Sequence, residues 1–372
     1  MTYARARLWL GITGVGAVVV LSTLALALDW TAGLPGPELG LLPSAAWLLL
    51  GLLGFALLAS PLDYLGGHRL PRRFGREERA FQLWLLPWMR SVLLHSLILT
   101  GVGALCLLVT RWGGWRAALS FFALLQLALL ASQARLARWF ASAGGAARSD
   151  QGLPEDLELI ESHDEGFTGG ICGLPGWERV VLPARWAQPP LDRGLCFALA
   201  RRRGLVELGA RSTGVLLAIA WNLLGLFVAL AWSGAEPAGL AGLVELSLAF
   251  TLWSFLGLLV LPSVGHSAVF FGDLLGSAAC PDESENLESL RAVDRLLDDE
   301  PERARWLQRI FHPVPALGER LRRLRAPEWP AWSAWNVART ALFLSWGGLG
   351  LLSRYVHCNV GRPALWALPP CD

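Results

Sequence analysis

Long apolar runs separated by short polar loops fill the first 130 residues, and two more apolar runs lie between residues 213 and 262. About 20 apolar residues are needed for an α-helix to cross the hydrocarbon core of a bilayer. The pattern predicts six membrane-spanning helices, at residues 8–28, 41–60, 91–110, 117–132, 213–232 and 239–262. A seventh run, 332–352, contains Arg339, a residue type that is costly inside a bilayer. We therefore expect an α-helical polytopic membrane protein with six to seven transmembrane helices.

Composition and charge agree with a membrane protein and indicate its orientation. Hydrophobic residues make up 54% of the chain, all 32 basic residues are arginine, and the net charge of +2 gives no support to nucleic-acid binding. Arginines are concentrated before the first span and between residues 69 and 79, whereas loops 29–40 and 233–238 contain none. Because basic residues favour the cytoplasmic side, we expect a cytoplasmic N-terminus, in a bacterial inner membrane, with the lipid bilayer as a partner.

Two polar segments, 133–212 and 263–330, follow the fourth and sixth predicted spans and should lie on the same cytoplasmic side. The first resembles a small α/β unit, with strands predicted near 157–162 and 179–182 and a helix at 195–210. The second contains helical patterns at 284–297, 302–311 and 317–324. We therefore divide the chain into membrane region 1–132, polar segment 133–212, membrane region 213–262, polar segment 263–330, and a seventh span with tail at 331–372.

Several short motifs follow one another in these polar segments. Gly-Phe-Thr-Gly-Gly-Ile-Cys-Gly at 166–173 precedes Arg-Val-Val-Leu-Pro at 179–183 and then a helix. After two apolar runs come a helix from residue 263, Phe-His-Pro at 311–313 and Glu-Arg-Leu at 319–321. This order resembles the gluzincin membrane metallopeptidases of the M48 family and their M56 relatives. The resemblance implies a peptidase-like core in which a His-Glu-x-x-His helix and a later Glu-x-x-x-Asp helix hold one zinc ion.

The positions that hold zinc in that family carry other residues here. Arg201 stands where the first histidine belongs, Arg202 where the glutamate belongs, and Leu205 where the second histidine belongs. Val269 stands at the glutamate of the second helix, so only Asp273 remains of that pair. Histidines four residues apart share one helix face and can bind one zinc, whereas arginines are permanently cationic. Zinc is thus the cofactor implied by the resemblance, but we expect no cofactor, no metal site and no catalytic residue.

This loss predicts a pseudoenzyme: a catalytically inactive, peptidase-like protein with a binding or regulatory role. An exposed edge strand can bind an extended protein or peptide partner through backbone groups alone. The expected edge strand consists of Phe167, Thr168, Gly169, Gly170 and Ile171.

The three consecutive arginines Arg201, Arg202 and Arg203 are expected to form a basic surface. Such a surface would face the acidic segment 282–302, anionic lipid or a partner protein.

Two other functions stay open. The chain would be an active metallopeptidase if its ligands lie elsewhere, and a transporter or channel if His95, Glu245 and Arg339 act within the spans. Buried polar groups in spans also form interhelical hydrogen bonds, which is the structural alternative. A disulfide between Cys358 and Cys371 would form if the tail faces an oxidising compartment.

Overall fold

The computed structural model describes residues 1–76, 80–141, 154, 156–187, 194–234, 237–280, 282–346 and 349–370, and it is mostly helical. The helices are α1 (Tyr3–Ala27), α2 (Leu41–Tyr64), α3 (Leu70–Arg73), α4 (Phe81–Ala141), α5 (Leu195–Glu207), α6 (Ala210–Ser233), α7 (Leu240–Val260), α8 (His266–Ala279), α9 (Glu283–Leu297), α10 (Arg305–Phe311), α11 (Leu317–Arg325) and α12 (Val337–Trp346). Five described helical segments are long and apolar enough to cross a membrane: α1, α2 continued through α3, α4, α6 and α7. The six apolar runs predicted as spans are all helical, and the third and fourth lie within the single longer helix α4.

The 61-residue helix α4 contains two of the predicted spans and folds back on itself at Gly114. Gly114 has φ 59° and ψ −153°, a conformation outside the helical region that glycine adopts without a steric penalty. His95 and Phe140 contact the same ring, Trp366, at centroid distances of 5.6 and 5.8 Å. A straight helix would hold these two residues about 68 Å apart. The two halves of α4 therefore run side by side.

The prediction of a seventh span is wrong for the described residues. Helix α12 has 10 residues and is about 15 Å long, roughly half the thickness of a bilayer core. It packs against α6, where Asn222 Nδ2 donates to Ala341 O at 3.0 Å. Beyond it, residues 349–370 contain only short turns and 3₁₀ segments, and they return through the interior, where Leu351 N donates to Thr251 Oγ1 at 3.3 Å. The C-terminal segment is thus buried against the helices.

A three-stranded sheet forms the centre of the polar unit, in the order β1 (Leu157–Ile160), β3 (Arg179–Pro183), β2 (Gly170–Cys172). Strand β3 pairs in parallel with β1 and antiparallel with β2. The β-branched residues Val180 and Val181 suit a strand that is buried on both faces, and both are at most 2% exposed. The strands and the following helix α5 confirm the predicted α/β unit.

Arginines of the membrane helices connect them to the acidic helix α9 and the turn after it. Arg5 Nε lies 2.9 Å from Glu300 Oε1, and Arg76 Nη1 donates to Leu296 O at 3.1 Å. Helix α9 begins where expected because the Asp282 side chain accepts hydrogen bonds from the first backbone N–H groups. The start of α1, the turn after α3 and both polar segments therefore lie on one side of the molecule.

Candidate functional site

Helices α5 and α8 pack closely because the residues of α8 at their contact are glycines, which have no side chain. A Cβ on Gly276 would lie 2.6 Å from Arg201 Cγ, and a Cβ on Gly272 would lie 3.1 Å from Leu205 Cδ1. The first distance is sterically forbidden, so only glycine permits this approach. The contact brings the positions at which a zinc site was predicted to be lost, on α5 and on α8, to one buried junction.

An ion triad fills this junction. Arg201 Nε lies 2.8 Å from Asp273 Oδ1, and Arg320 donates through Nε to Oδ2 and through Nη2 to Oδ1, both at 2.8 Å. The side chain of Asp273 is 1% exposed and those of Arg201 and Arg320 are 4% and 3% exposed. Buried charges need close partners, and a planar guanidinium matches a carboxylate through two parallel hydrogen bonds. The junction is therefore a buried ion triad in which one carboxylate pairs with two guanidinium groups.

The third member, Arg320, is held by contacts of helix α11 with α10. Gln308 Oε1 accepts from the backbone N–H of Ala316 at 2.7 Å, and Gln308 Nε2 donates to Glu319 Oε2 at 2.5 Å. Ala316 is the N-cap residue of α11, so the first contact fixes the start of that helix. The Glu-Arg-Leu motif at 319–321 thus supplies Arg320, a triad residue that was not among the predicted site residues.

The expected basic surface is a wrong prediction for two of its three arginines. Arg201 and Arg202 are 3% and 1% exposed. Arg202 donates to Val181 O at 3.0 Å and to Thr168 O at 2.7 Å, so it joins β3 to the segment before β2. Arg203 alone is partly exposed; its hydrogen bonds to Asp156, at 2.6 and 2.8 Å, lower the pKa of that carboxyl. Three successive helical residues point in directions about 100° apart, so each arginine meets a different neighbour.

The predicted pairing of these arginines with segment 282–302 is also wrong. The acidic residues of that segment instead meet Arg5, Arg76 and Arg303, of which Arg303 Nη2 lies 2.5 Å from Asp298 Oδ2.

The predicted peptide-binding strand lies at a sheet edge but is not exposed. Strand β2 is the outer strand next to β3. Phe167, Thr168, Gly169, Gly170 and Ile171 are all buried. Phe167 O accepts from Arg185 and Thr168 O from Arg202, so backbone groups that strand addition would use are engaged. The prediction of an accessible edge is therefore wrong.

The residues at the zinc-like positions do not fit a zinc ion. Leu205 and Val269 are buried at 1% and 3% exposure and carry no donor atom, and Arg201 is a cation paired with Asp273. His266 and His312 do meet, with His266 Nε2 2.8 Å from His312 O, but this contact uses a backbone atom. Across the described residues, no group of three or more His, Cys, Asp and Glu side chains is arranged to hold a metal ion.

His312, of the Phe-His-Pro motif, lies in a charged environment near the triad. Its Nδ1 atom lies 3.8 Å from Asp298 Oδ2. Burial lowers the pKa of His312 to about 4, against the opposing charge of Asp298. Burial alone would raise the pKa of Asp298, but the positive charge of Arg303 and its other neighbours lower it to about 2. At neutral pH the imidazole is therefore uncharged and the carboxylate is ionised.

A disulfide between Cys196 and Cys280 joins the start of α5 to the end of α8. This pair could not be predicted from the sequence, because the two residues are separated by 84 positions and no motif connects them. The predicted partner of Cys358, Cys371, lies outside the described residues, and Cys358 Sγ is 3.3 Å from Asn359 Oδ1. The disulfide thus fixes the same helix pair that carries the triad.

No protein-family model matches this chain, and no curated protein matches it. The peptidase-like assignment therefore stays a prediction, and it rests on the motifs and on the geometry of α5, α8 and α11.

Proposed function

We propose that the chain is an integral membrane protein of a bacterial inner membrane with six membrane crossings. Five described helical segments have the length and apolarity of a span, and the fold-back of α4 at Gly114 supports counting two crossings in one of them. Exposed apolar residues on these helices, such as Leu57, Leu58 and Leu124, support lipid contact, because they are at least 66% exposed.

We further propose that its polar unit is a peptidase-like core without peptidase chemistry, which acts by binding or regulation. The observation that carries this proposal is the buried triad of Arg201, Asp273 and Arg320. Two guanidinium groups cannot release their protons at physiological pH and repel a divalent cation. Leu205 and Val269 add apolar volume where metal donors would be needed. A protein partner would have to bind a surface other than residues 167–171, which are buried.

A ligand-restoring variant tests this proposal. If α5 and α8 are arranged as in the zinc peptidases, Arg201→His, Leu205→His and Val269→Glu together should create a three-ligand site. We expect the triple variant to bind close to one zinc per chain, measured by elemental analysis and by competition with a chromophoric chelator, and the wild type to bind none.

The matched control moves the histidine pair to another face of α5, as Arg203→His and Glu207→His, and keeps Val269→Glu. It has the same donors in the wrong geometry and should bind zinc far more weakly. Equal zinc affinity of the two variants would contradict the peptidase-like arrangement. Stoichiometric zinc in the wild type would instead favour an active metallopeptidase.

We propose a cytoplasmic N-terminus because of the arginine distribution. The Cys196–Cys280 disulfide opposes this orientation, because it lies in the polar unit on the same side as the N-terminus and stable disulfides are rare in the cytoplasm. Labelling of intact cells with a membrane-impermeant maleimide decides between the two sides. Gly33→Cys, which has open space around it, should be labelled, and Arg73→Cys should not. The reverse pattern would place the polar unit in the oxidising compartment.

A further inference from the structure

Two adjoining cavities lie where the membrane helices meet the polar unit. One, of about 250 Å³, is bounded by α1 and α7 and is lined mainly by apolar side chains such as Ile12, Phe255 and Leu258. The other, of about 40 Å³, is lined by charged side chains of both signs, with an excess of arginines: Arg7, Arg303, Arg320, Arg339 and Arg362 against Asp294 and Asp298. Arg339 and His357 line both, so the two cavities meet at these residues.

Arg339 is a buried cation at this meeting point. It is 8% exposed, and its Nη1 atom is buried without a hydrogen-bond partner. No ion pair involves Arg339 within the described residues. A guanidinium cannot escape burial by losing its proton, and an uncompensated buried charge is strongly unfavourable. Asp298, a carboxylate that lines the same cavity, is paired with Arg303, so the position of Arg339 calls for a further anion.

The other cations of the small cavity are already engaged. Arg7 donates to His357 O and Gly66 O, at 2.6 Å each, while Arg303, Arg320 and Arg362 pair with carboxylates. His312, on the same wall, has a pKa lowered to about 4 by burial and adds no charge at neutral pH. Among the arginines that line this cavity in the described residues, Arg339 is thus the one with neither a carboxylate partner nor a hydrogen bond to the protein.

We infer that these cavities bind a single-chain lipid carboxylate, a long-chain fatty acid, with its head on Arg339 and its chain between α1 and α7. The charged cavity is much the smaller of the two, about 40 Å³ against about 250 Å³, which suits a carboxylate better than a bulkier glycerol phosphodiester head. One apolar cavity accommodates one chain, and a carboxylate matches a guanidinium through paired hydrogen bonds.

The acyl chain of the fatty acid can enter the larger cavity from the side of the helix bundle. Leu259, on its wall, is 37% exposed, and both α1 and α7 are among the helices apolar enough to cross a membrane. Gly16 also lines this cavity, and a Cβ there would meet nothing within 4 Å. A larger side chain at Gly16 would therefore fill the cavity without disturbing the helix contacts.

The experiment measures binding of tritiated palmitate to the delipidated, detergent-purified full chain by scintillation proximity. Arg339→Gln removes the charge, Gly16→Leu fills the apolar cavity, and each should weaken palmitate binding at least tenfold. The controls are Arg322→Gln, an exposed arginine, and Gly54→Leu, a helical glycine with open space; both should bind as the wild type does. Unlabelled palmitate should compete, and hexadecanol, with the same chain and no charge, should not.

Three results would overturn the inference. The first is wild-type affinity of Arg339→Gln for palmitate. The second is competition by hexadecanol equal to that by palmitate, which indicates simple apolar partitioning. The third is stronger competition by phosphatidic acid, which indicates a phospholipid site. The melting temperature of the delipidated protein distinguishes a loss of the binding site from a folding defect in Arg339→Gln. This variant removes a buried charge that has no ion-pair partner, so its melting temperature should rise, whereas a folding defect would lower it. Palmitate should then stabilise the wild type and leave this variant unchanged.

Discussion

Removal of Asp273 should destabilise the protein far more than removal of any exposed acidic residue. The carboxylate is 1% exposed and touches two guanidinium groups, each at most 4% exposed, at distances of 2.8 Å. Asp273→Ala would leave both arginines buried without their anion. Breaking a buried ion pair in this way costs about 3–5 kcal/mol. We expect Arg201→Met to cost less, about 1–3 kcal/mol, because Asp273 keeps its two hydrogen bonds with Arg320.

The assay is thermal unfolding of the full chain in a mild detergent, followed by circular dichroism. A loss of 3–5 kcal/mol should lower the melting temperature by at least about 5 °C. Glu328→Ala is the matched control: Glu328 pairs with Arg323 at the surface, with side chains 77% and 46% exposed, so its loss should cost less than about 1 kcal/mol. Equal effects of Asp273→Ala and Glu328→Ala would refute the reasoning.

The triad also allows a prediction of opposite sign. Replacing all three members by apolar residues of similar size, as Arg201→Met, Asp273→Leu and Arg320→Met, removes the charges together with their desolvation cost. Such replacements are often neutral or stabilising. We therefore expect the triple variant to melt at a higher temperature than Asp273→Ala, and a further loss of stability would show that the triad itself holds the helices together.

Three further predictions follow from the same contacts. Reduction of the Cys196–Cys280 disulfide, or its replacement by serines, should cost about 2–4 kcal/mol and lower the melting temperature, since the bond closes a long loop. The folded-state pKa of His312 is about 4, below its ordinary value of 6.5. The stability that its uncharged form contributes is therefore fully present above pH 6.5 and is lost, by up to about 3 kcal/mol, as pH falls toward 4. His312→Asn should flatten the dependence of melting temperature on pH in that window. Gly276→Val should unfold the polar unit, because its Cβ would meet Arg201 Cγ at 2.6 Å, and protease sensitivity limited to that unit would report this.

Local signals were sufficient for most of the secondary structure. The apolar runs indicate the long helices, and the valines of β3 indicate the central strand. The amphipathic spacing, together with the cap at Asp282, indicates helix α9. These features depend on residues a few positions apart, which is the range over which helix and strand preferences act.

Long-range pairing could not be read from the sequence. Arg354 meets Asp63 at a separation of 291 residues, and Arg362 meets Asp164 at 198. These contacts hold the non-helical C-terminal segment inside the molecule, whereas the sequence pattern predicted a tail that follows a seventh span at 332–352. The burial of Arg201 and Arg202 could not be predicted for the same reason, because their partners, Asp273 and backbone carbonyls at the sheet, lie on other elements.

The most direct test of the central proposal, that an ion triad stands where a zinc peptidase would hold its metal, is the zinc content of the wild-type protein. The full chain would be purified in detergent without strong chelators, dialysed against a weak one, and measured by elemental analysis. We predict no stoichiometric zinc, because Arg201 and Asp273 neutralise each other and Leu205 offers no donor. Close to one zinc per chain would contradict the account.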